Sequence, residues 1–496
     1  MRATAETRAS ADPSAGDLGP PSLTTVGAVG QTLAIGPIFS AGFLAGTVAV
    51  FAGFNSPLSV LLAGLGTLAL CYVLVLYGSR FAGAGGVYEY LARGVHSSVG
   101  VVGAGTYLLG LLFLGAGGGF VTEGFLTNNL LAKEISVDIG WWFWALVALG
   151  LAIGIDYVGV KLGIRAIALT AAISTVPFLI IAVAIVAQGG AHGNSLAVFD
   201  PSQTSWNAVF HGILFAVTLF IGFETAANLG EEARLPRRSI PIALASSIVI
   251  CLAFYLFVTY AAAIGFGERA LQNNAWFGSA NPFGELGDRY LGGQALDWIV
   301  NLTIVLDLLS VLIAFTLAAS RLLMVLARDG LLPRAVARTS PRFRTPLGGL
   351  GVIAVWALLV MLWTSLTRYG ESAGLPNVLQ AFLILSAAGS YLITLVYFVL
   401  AAGALWLLWA EPDRGGLWWR LPLVLAGLAV PVLAFDGSLN PFPAHPNDIA
   451  VYFACAGLGA SVLWYAALRI LRPEAVRGAA GHATKVGLPE DKPISQ

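Results

Sequence analysis

The sequence predicts an all-α integral membrane protein of twelve transmembrane helices: a 5+5 inverted repeat with discontinuous helices 1 and 6, plus two C-terminal helices. Three observations predict it. Of 496 residues, 57% are hydrophobic and only 10% charged, where soluble domains carry about 25% charged residues. Apolar stretches of about 20 residues, enough to cross a hydrocarbon layer of about 30 Å, recur twelve times. Two of these stretches, five apart in order, are interrupted near mid-depth.

The stretches lie near 26–53, 57–79, 99–126, 139–156, 161–188, 207–230, 240–266, 296–326, 347–366, 376–402, 418–436 and 449–470, and are numbered spans 1 to 12. An even number places both termini on one side. With that side cytoplasmic, every Lys and Arg except Lys133, Arg269, Arg289 and Arg368 falls at a cytoplasmic turn, helix end or tail. This is the bias of the positive-inside rule. It predicts a multi-pass protein of the plasma membrane with both termini in the cytoplasm.

The chain divides accordingly. Residues 1–24, rich in Ala, Ser and Pro, read as a disordered cytosolic tail. A first five-helix repeat covers 25–188, a second, inverted repeat covers 207–402, spans 11 and 12 cover 418–470, and a cytosolic tail covers 471–496. The connections near 189–206 and 267–295 leave no room for a soluble catalytic domain, so function must lie between helices. A net charge of zero offers no basic face for nucleic acid, and the lipid bilayer is the partner the composition implies. Cys71, Cys251 and Cys455 each sit in an apolar run without paired spacing and read as packing residues. Neither a metal-ligand cluster nor a nucleophile–base pair is present, which predicts no enzyme, no metal and no cofactor. His192, His211 and His445 fall at or beyond the outer boundary and read as interfacial.

Span 1 carries "AIGPIFSAGFLAG", with Pro37, Gly36, Gly42 and Gly46 in mid-run. Proline removes a backbone donor, and glycine tolerates non-helical angles. Span 6 is interrupted at Ile221, Gly222, Phe223 and Glu224. Irregular backbone inside a membrane survives only where protein or a cavity satisfies it. Two such breaks in corresponding positions of two repeats point to a binding site between them. Free N–H groups at a half-helix start suit a carboxylate, and free carbonyls at the opposing end suit an ammonium group or a cation. Small zwitterions fit that chemistry.

Four stretches carry a resemblance: "AGAGGVYEYL" (82–91), "GFETAANLGEEARLPRRSIPIA" (222–243), "AASRLLMVLARDGLLP" (318–333) and "TP" at 345–346. In this order and at these span ends, the chain resembles the amino acid–polyamine–organocation superfamily of secondary transporters, over nearly its whole length. The resemblance implies a fold like that of the bacterial leucine transporter and uptake or exchange of a small amino acid or amine by alternating access. It places the family's Gly-Ser-Gly, whose backbone N–H groups hold the substrate carboxylate, on Ser40, Ala41 and Gly42. It places an aromatic gate on Thr218, with Phe220 or Phe223 able to substitute, and sets Gly115 of span 3 beside the substrate. Some relatives carry a coupling lysine where this chain has Ser174. That leaves open a sodium site at Ser174 and Thr316, on the face shared with Ser320, or uncoupled exchange.

Glu224 in span 6 and Asp307 in span 8 read as intramembrane acids, each costing roughly 2.5–3.5 kcal/mol at mid-depth, so each needs a role. Glu224 is expected to close the substrate site, meeting a proton, an amine or neighbouring backbone. Asp307 is nine residues from Thr316, about 180° around the helix, and reads as a locally hydrogen-bonded residue. Glu231 and Glu232, at the cytoplasmic end of span 6, are expected to latch an inner gate through arginines. The leading function is an amino acid transporter coupled to protons or sodium, or an exchanger. A carrier of polyamines or other organic amines is the alternative, and a non-transporting sensor lacks the output domain it would need.

Overall fold

The computed structural model describes residues 21, 23–32, 37–81, 83, 85–273, 275–279, 281–292, 295–373, 375–409 and 416–481. Most of the expected N-terminal tail, the last 15 residues of the C-terminal tail, Gly36 and Arg414 lie outside them. Among the described residues the backbone is helical apart from turns, loops and isolated bridge residues, including the bridge between Leu23 and Ala233.

Eleven helical stretches are long and apolar enough to cross a membrane, against the twelve expected. The difference arises between the first two, because Ser40–Gly78 is one run of 39 residues. A short 3-10 turn, Gly53–Asn55, joins its halves without leaving helical structure. Gly53 has φ +53° and ψ −126°, a backbone that only glycine adopts freely. The parts before and after it, Ala45–Ala52 and Ser56–Gly78, both pack on Trp206–Thr218. That helix is about 20 Å long, whereas a straight run of 39 residues would reach about 58 Å. The run therefore folds back at Gly53.

The other membrane-length stretches are Ser97–Ile135 (span 3), Trp141–Val158 (span 4), Val160–Ala187 (span 5), Trp206–Glu232 (span 6), Pro236–Phe266 (span 7), Asp297–Arg328 (span 8), Leu347–Leu366 (span 9), Asn377–Trp409 (span 10), Leu417–Leu439 (span 11) and Asp448–Leu471 (span 12). Spans 3, 6, 8 and 10 are the more buried and form the middle of the bundle, while spans 4, 5, 11 and 12 present large apolar side chains outward. Span 2 packs on span 7, span 3 on span 10, span 8 on span 5, span 3 on span 4, and span 8 on span 9. Exchanging each number for its counterpart five away leaves this set of contacts unchanged.

The arginine-rich end of the bundle is closed. The Leu23 N–H donates to the Glu232 carbonyl at 2.8 Å, and the Arg234 N–H returns to the Leu23 carbonyl at 2.9 Å. The Tyr88 hydroxyl donates to Asp329 Oδ2 at 2.6 Å, and the Ala480 N–H reaches the same oxygen at 2.9 Å. These bonds tie the loop after span 2, the end of span 8 and the segment after span 12 into one seal.

Candidate functional site

Span 6 stops being an α-helix at Thr218. Leu219 to Ile221 turn tightly, Gly222 takes φ +116° and ψ −16°, and the chain resumes as a 3-10 helix over Phe223–Glu232. The interruption falls where Gly222 and Phe223 predict it. Glu224 satisfies it: Oε2 accepts the Gly222 N–H at 3.0 Å, and Oε1 accepts the Tyr107 hydroxyl of span 3 at 3.3 Å. The Tyr255 hydroxyl of span 7 donates to the Leu219 carbonyl at 2.9 Å and is itself within hydrogen-bond reach of Ser40. Tyr255 thereby links the two interrupted helices.

In span 1, helix Thr25–Thr32 ends before the undescribed residues 33–36, and Pro37–Phe39 opens the second half. That half passes at once into one π-helical turn, Ser40–Leu44, in which the Ala45 N–H bonds back to the Ser40 carbonyl. The first two N–H groups, those of Ile38 and Phe39, both donate to Asp307 Oδ2, at 3.0 and 2.8 Å. Helix starts leave their first N–H groups without intrahelical partners, and here a carboxylate from span 8 takes two of them. Each of the two acids read from the sequence thus holds the backbone at a different break.

Span 3 carries a second π-helical stretch, Leu112–Gly119. Its wide turn frees the Leu112 carbonyl, which the Trp356 indole N–H of span 9 takes up at 2.9 Å. Such π-bulges gather at functional sites. Here the bulge and its run of glycines admit neighbours: a Cβ on Gly115 would lie 2.6 Å from the Phe315 Cβ and Cγ.

A cavity of about 420 Å³ lies between spans 1, 3, 6, 8, 10 and 11. Phe39, Leu114, Phe215, Leu312, Phe315 and Phe382 supply much of its apolar wall, and Ser40, Thr218, Ser386, Ser390 and Thr394 bring hydroxyls. Among the described residues, no Asp, Glu, Lys or Arg lines it. It extends to Phe51, His211 and Asn447, at the end of the bundle away from the arginine-rich face. At that mouth the rings of Phe51 and Phe215 stack at 4.5 Å, with His211 lying 6.3 Å from Phe51.

Three of the nine predicted substrate residues, Ser40, Gly115 and Thr218, line this cavity. Gly42 does not, because it is wedged between Ile304 and Phe178. Ala41 and Gly42 are interior to the π-turn, so the unused helix-start donors belong to Ile38 and Phe39 instead. Phe220 packs edge-on against Tyr255 at 5.2 Å, and Phe223 lies 6.1 Å from Tyr397. Both are turned from the cavity, as are Gly222 and Glu224, whose polar groups close on each other.

Ser174 and Thr316 are not brought together. Thr170 hydrogen-bonds Ser310, and Gly163 lies against Leu317, so spans 5 and 8 run antiparallel. In that register Thr316 is level with Ile164, ten residues from Ser174, or about 15 Å along the helix axis. Both hydroxyls are buried without a partner, and the Ser320 hydroxyl donates to its own helix at the Leu317 carbonyl, 3.0 Å. Glu231 and Glu232 do meet arginines. Arg328 reaches Glu231 at 2.8 Å, and buried Arg321 grips Glu232 with two bonds of 2.7 and 2.8 Å.

Among the buried acids that escaped the sequence reading, two lie in the spans. Glu123 in span 3 takes the Thr127 hydroxyl at 3.3 Å, and Asp156 in span 4 lies near the Arg321–Glu232 pair with neither oxygen bonded. Both fall inside the stretches marked as spans, so their positions were the available signal. The aromatic wall gave none, since Phe39, Phe215, Phe315 and Phe382 look like any other apolar residue of a membrane helix.

A helical bundle with interrupted spans 1 and 6 around a central cavity defines a transporter fold of the leucine-transporter type. The crystal structure of MhsT in complex with L-phenylalanine shares that fold, with a TM-score of 0.55 at 18% identity, over 83% of this chain and 98% of that one. The family model for amino acid permeases matches residues 23–463, and the chain belongs to that family. It is 30% identical over 257 residues to an uncharacterised transporter of Mycobacterium tuberculosis, covering 49% of this chain and 55% of the relative. It is 28% identical over 381 residues to cationic amino acid transporter 3, mitochondrial, of Arabidopsis thaliana, covering 72% of this chain and 59% of the relative. The matched segments thus span little more than half the length of these relatives.

Proposed function

We propose that the protein is a secondary transporter that carries a neutral, largely apolar amino acid across the plasma membrane by alternating access, as a permease and not an enzyme. The observation that carries this reading is the cavity. Its volume of about 420 Å³ lies in the range of small-molecule sites, its wall is aromatic and aliphatic, and no ionised side chain lines it. The carboxylate that made a cationic amine attractive, Glu224, is held by the Gly222 N–H and Tyr107. A diamine would enter this cavity without a counter-charge. Membership of the amino acid permease family supports the substrate class.

With the arginine-rich face cytoplasmic, the cavity opens outward, and the Glu232–Arg321 and Glu231–Arg328 pairs close the inner side. Transport then requires that these pairs part while the aromatic mouth at Phe51 and Phe215 shuts. The separation of Ser174 and Thr316 removes the ligand pair on which sodium coupling rested, which favours proton coupling or exchange.

The test is uptake by the reconstituted full chain in liposomes, with a panel of L-amino acids and diamines and with sodium and proton gradients imposed separately. Leucine, isoleucine, phenylalanine and methionine should be taken up in preference to lysine and putrescine. Preferential uptake of the diamine would overturn the reading.

A further inference from the structure

Asp307 is completely buried, and one of its oxygens holds both N–H groups that open the second half of span 1. Its other oxygen, Oδ1, has no hydrogen-bond partner. The helix it caps continues unbroken through Ala52. On either side of this contact the chain meets the cavity, because Phe39 and Ser40 line it from span 1 and Leu308 from span 8.

A substrate carboxylate in this cavity has few places to go. Among the described residues no Lys or Arg lines the wall, which leaves backbone N–H groups as its positive poles, and protein carboxylates already hold those of Ile38, Phe39 and Gly222. Glu224 is fixed by a bond two residues back in its own chain and by Tyr107. Asp307 comes from a different span and is held by Ile38 and Phe39 alone. It is the more easily displaced of the two. Two ionised carboxylates cannot share this pair of donors, since like charges in a poorly screened site repel strongly. Once displaced, Asp307 finds no other strong donor. The titratable groups facing it are the Cys251 thiol and the Tyr255 phenol of span 7, and Tyr255 already donates to the Leu219 carbonyl. Span 5 presents uncharged Ser174 at its level, and no charged side chain is among the groups acting on its carboxyl.

We propose that Asp307 is the proton-carrying group of the transport cycle, ionised on the Ile38 and Phe39 N–H groups in the empty carrier and protonated when a substrate carboxylate takes its place. The proposal rests on the amino acid reading above. On binding, a hydronium ion from the outer solution gives up one of its O–H bonds, Asp307 takes the proton as a new O–H bond, and water is left behind. On release at the arginine-rich side the substrate leaves, the N–H pair recaptures the carboxylate, and the proton departs to water. One proton crosses with each substrate.

The experiment uses the purified full chain in detergent, with L-leucine, L-isoleucine, L-phenylalanine and L-methionine as probes. Affinity is measured from pH 5 to 9, and proton uptake on binding is followed with a dye in weak buffer. The wild type should take up close to one proton per bound probe, and its affinity should fall about tenfold per pH unit on the alkaline side of the titration, the slope for one linked proton. Asp307→Asn should bind with pH-independent affinity and no proton uptake. In liposomes it should lose accumulation driven by a proton gradient and retain counterflow. Asp307→Glu should restore proton uptake, which separates the carboxyl's role from a packing role. Binding by the wild type without proton uptake and without pH dependence overturns the proposal while leaving the amino acid reading intact. An unchanged pH slope in Asp307→Asn does the same. Failure of the wild type to bind any of the probes overturns both.

Discussion

Arg321 spends two donors on Glu232 and a third on the Leu317 carbonyl at 3.0 Å, all out of contact with water. Removing one partner of such a buried pair strands the other charge, at about 3–5 kcal/mol. Glu232→Gln should therefore lower the melting temperature in detergent by several degrees, whereas Glu371→Gln, at an exposed pair with Arg368, should leave it unchanged. Glu224 obeys a different rule, because it accepts from neutral donors, the Gly222 N–H and the Tyr107 hydroxyl among them. Glu224→Gln keeps one acceptor oxygen and should retain most folding and uptake. Glu224→Leu orphans the Gly222 N–H at a cost of about 1–3 kcal/mol and should lose both, as read by melting and by liposome uptake. At Gly115 a methyl group would collide with Phe315, and overpacking of this kind costs about 1–3 kcal/mol. Gly115→Ala should weaken phenylalanine binding more than leucine binding. Glu224, Asp307 and the Glu231–Glu232 pair were legible from the sequence because an acid in an apolar run is conspicuous. The arginine-rich 328–344 stretch was the expected partner of the Glu231–Glu232 pair, and Arg328 does reach Glu231, but Tyr107, Phe39 and Arg321 were not legible, being reached only across the bundle.

The two interrupted helices illustrate how far local chemistry can be read. Gly222 predicted the break in span 6, and its φ of +116° is the reason a glycine stands there. An L side chain at such an angle costs about 1–3 kcal/mol, so Gly222→Ala should reduce folded yield sharply. Gly150 in span 4 has open space around its Cβ position, and Gly150→Ala should raise the melting temperature slightly, by about 0.5–1 kcal/mol of stability. Size-exclusion profiles and thermal melts of the pair check both. Pro37 and its neighbouring glycines predicted the break in span 1, and the carboxylate-holding donors were expected at Ser40, Ala41 and Gly42, yet the donors that open the half-helix are those of Ile38 and Phe39, directly after Pro37. Ser40–Leu44 is taken up by a π-turn. One widened turn leaves no periodicity to detect, since it adds a single residue to a repeat of 3.6.

Across the whole molecule, one end of the bundle is open to a cavity and the other is closed by ion pairs and backbone bonds. A cysteine placed at the cavity wall by Thr47→Cys should react with a membrane-impermeant thiol reagent from outside and be protected by leucine. A cysteine at Ala337, buried near the arginine-rich face, should stay unreactive until transport is running. Cys71 and Cys251 are buried and should give little background, but exposed Cys455 needs replacement by serine first. The order and placement of the spans were legible because length, hydropathy and arginine placement are properties of the chain itself, but their number was not, since the first two form one run. Which helices touch was not, because packing joins residues hundreds of positions apart. Among these long-range joints, the clasp at the closed end has a particular place in time. The Ala480 N–H binds the Tyr88 hydroxyl at 2.7 Å and Asp329 at 2.9 Å, and burial together with the Asp329 carboxylate pushes the Tyr88 phenol up, so it keeps its proton. A ribosome makes Ala480 only after it has made the residues of all the spans described, the last of which ends at Leu471. A nascent chain with some of these helices still to come thus has its arginine-rich end unfastened, and the clasp can close only after the last described span is made.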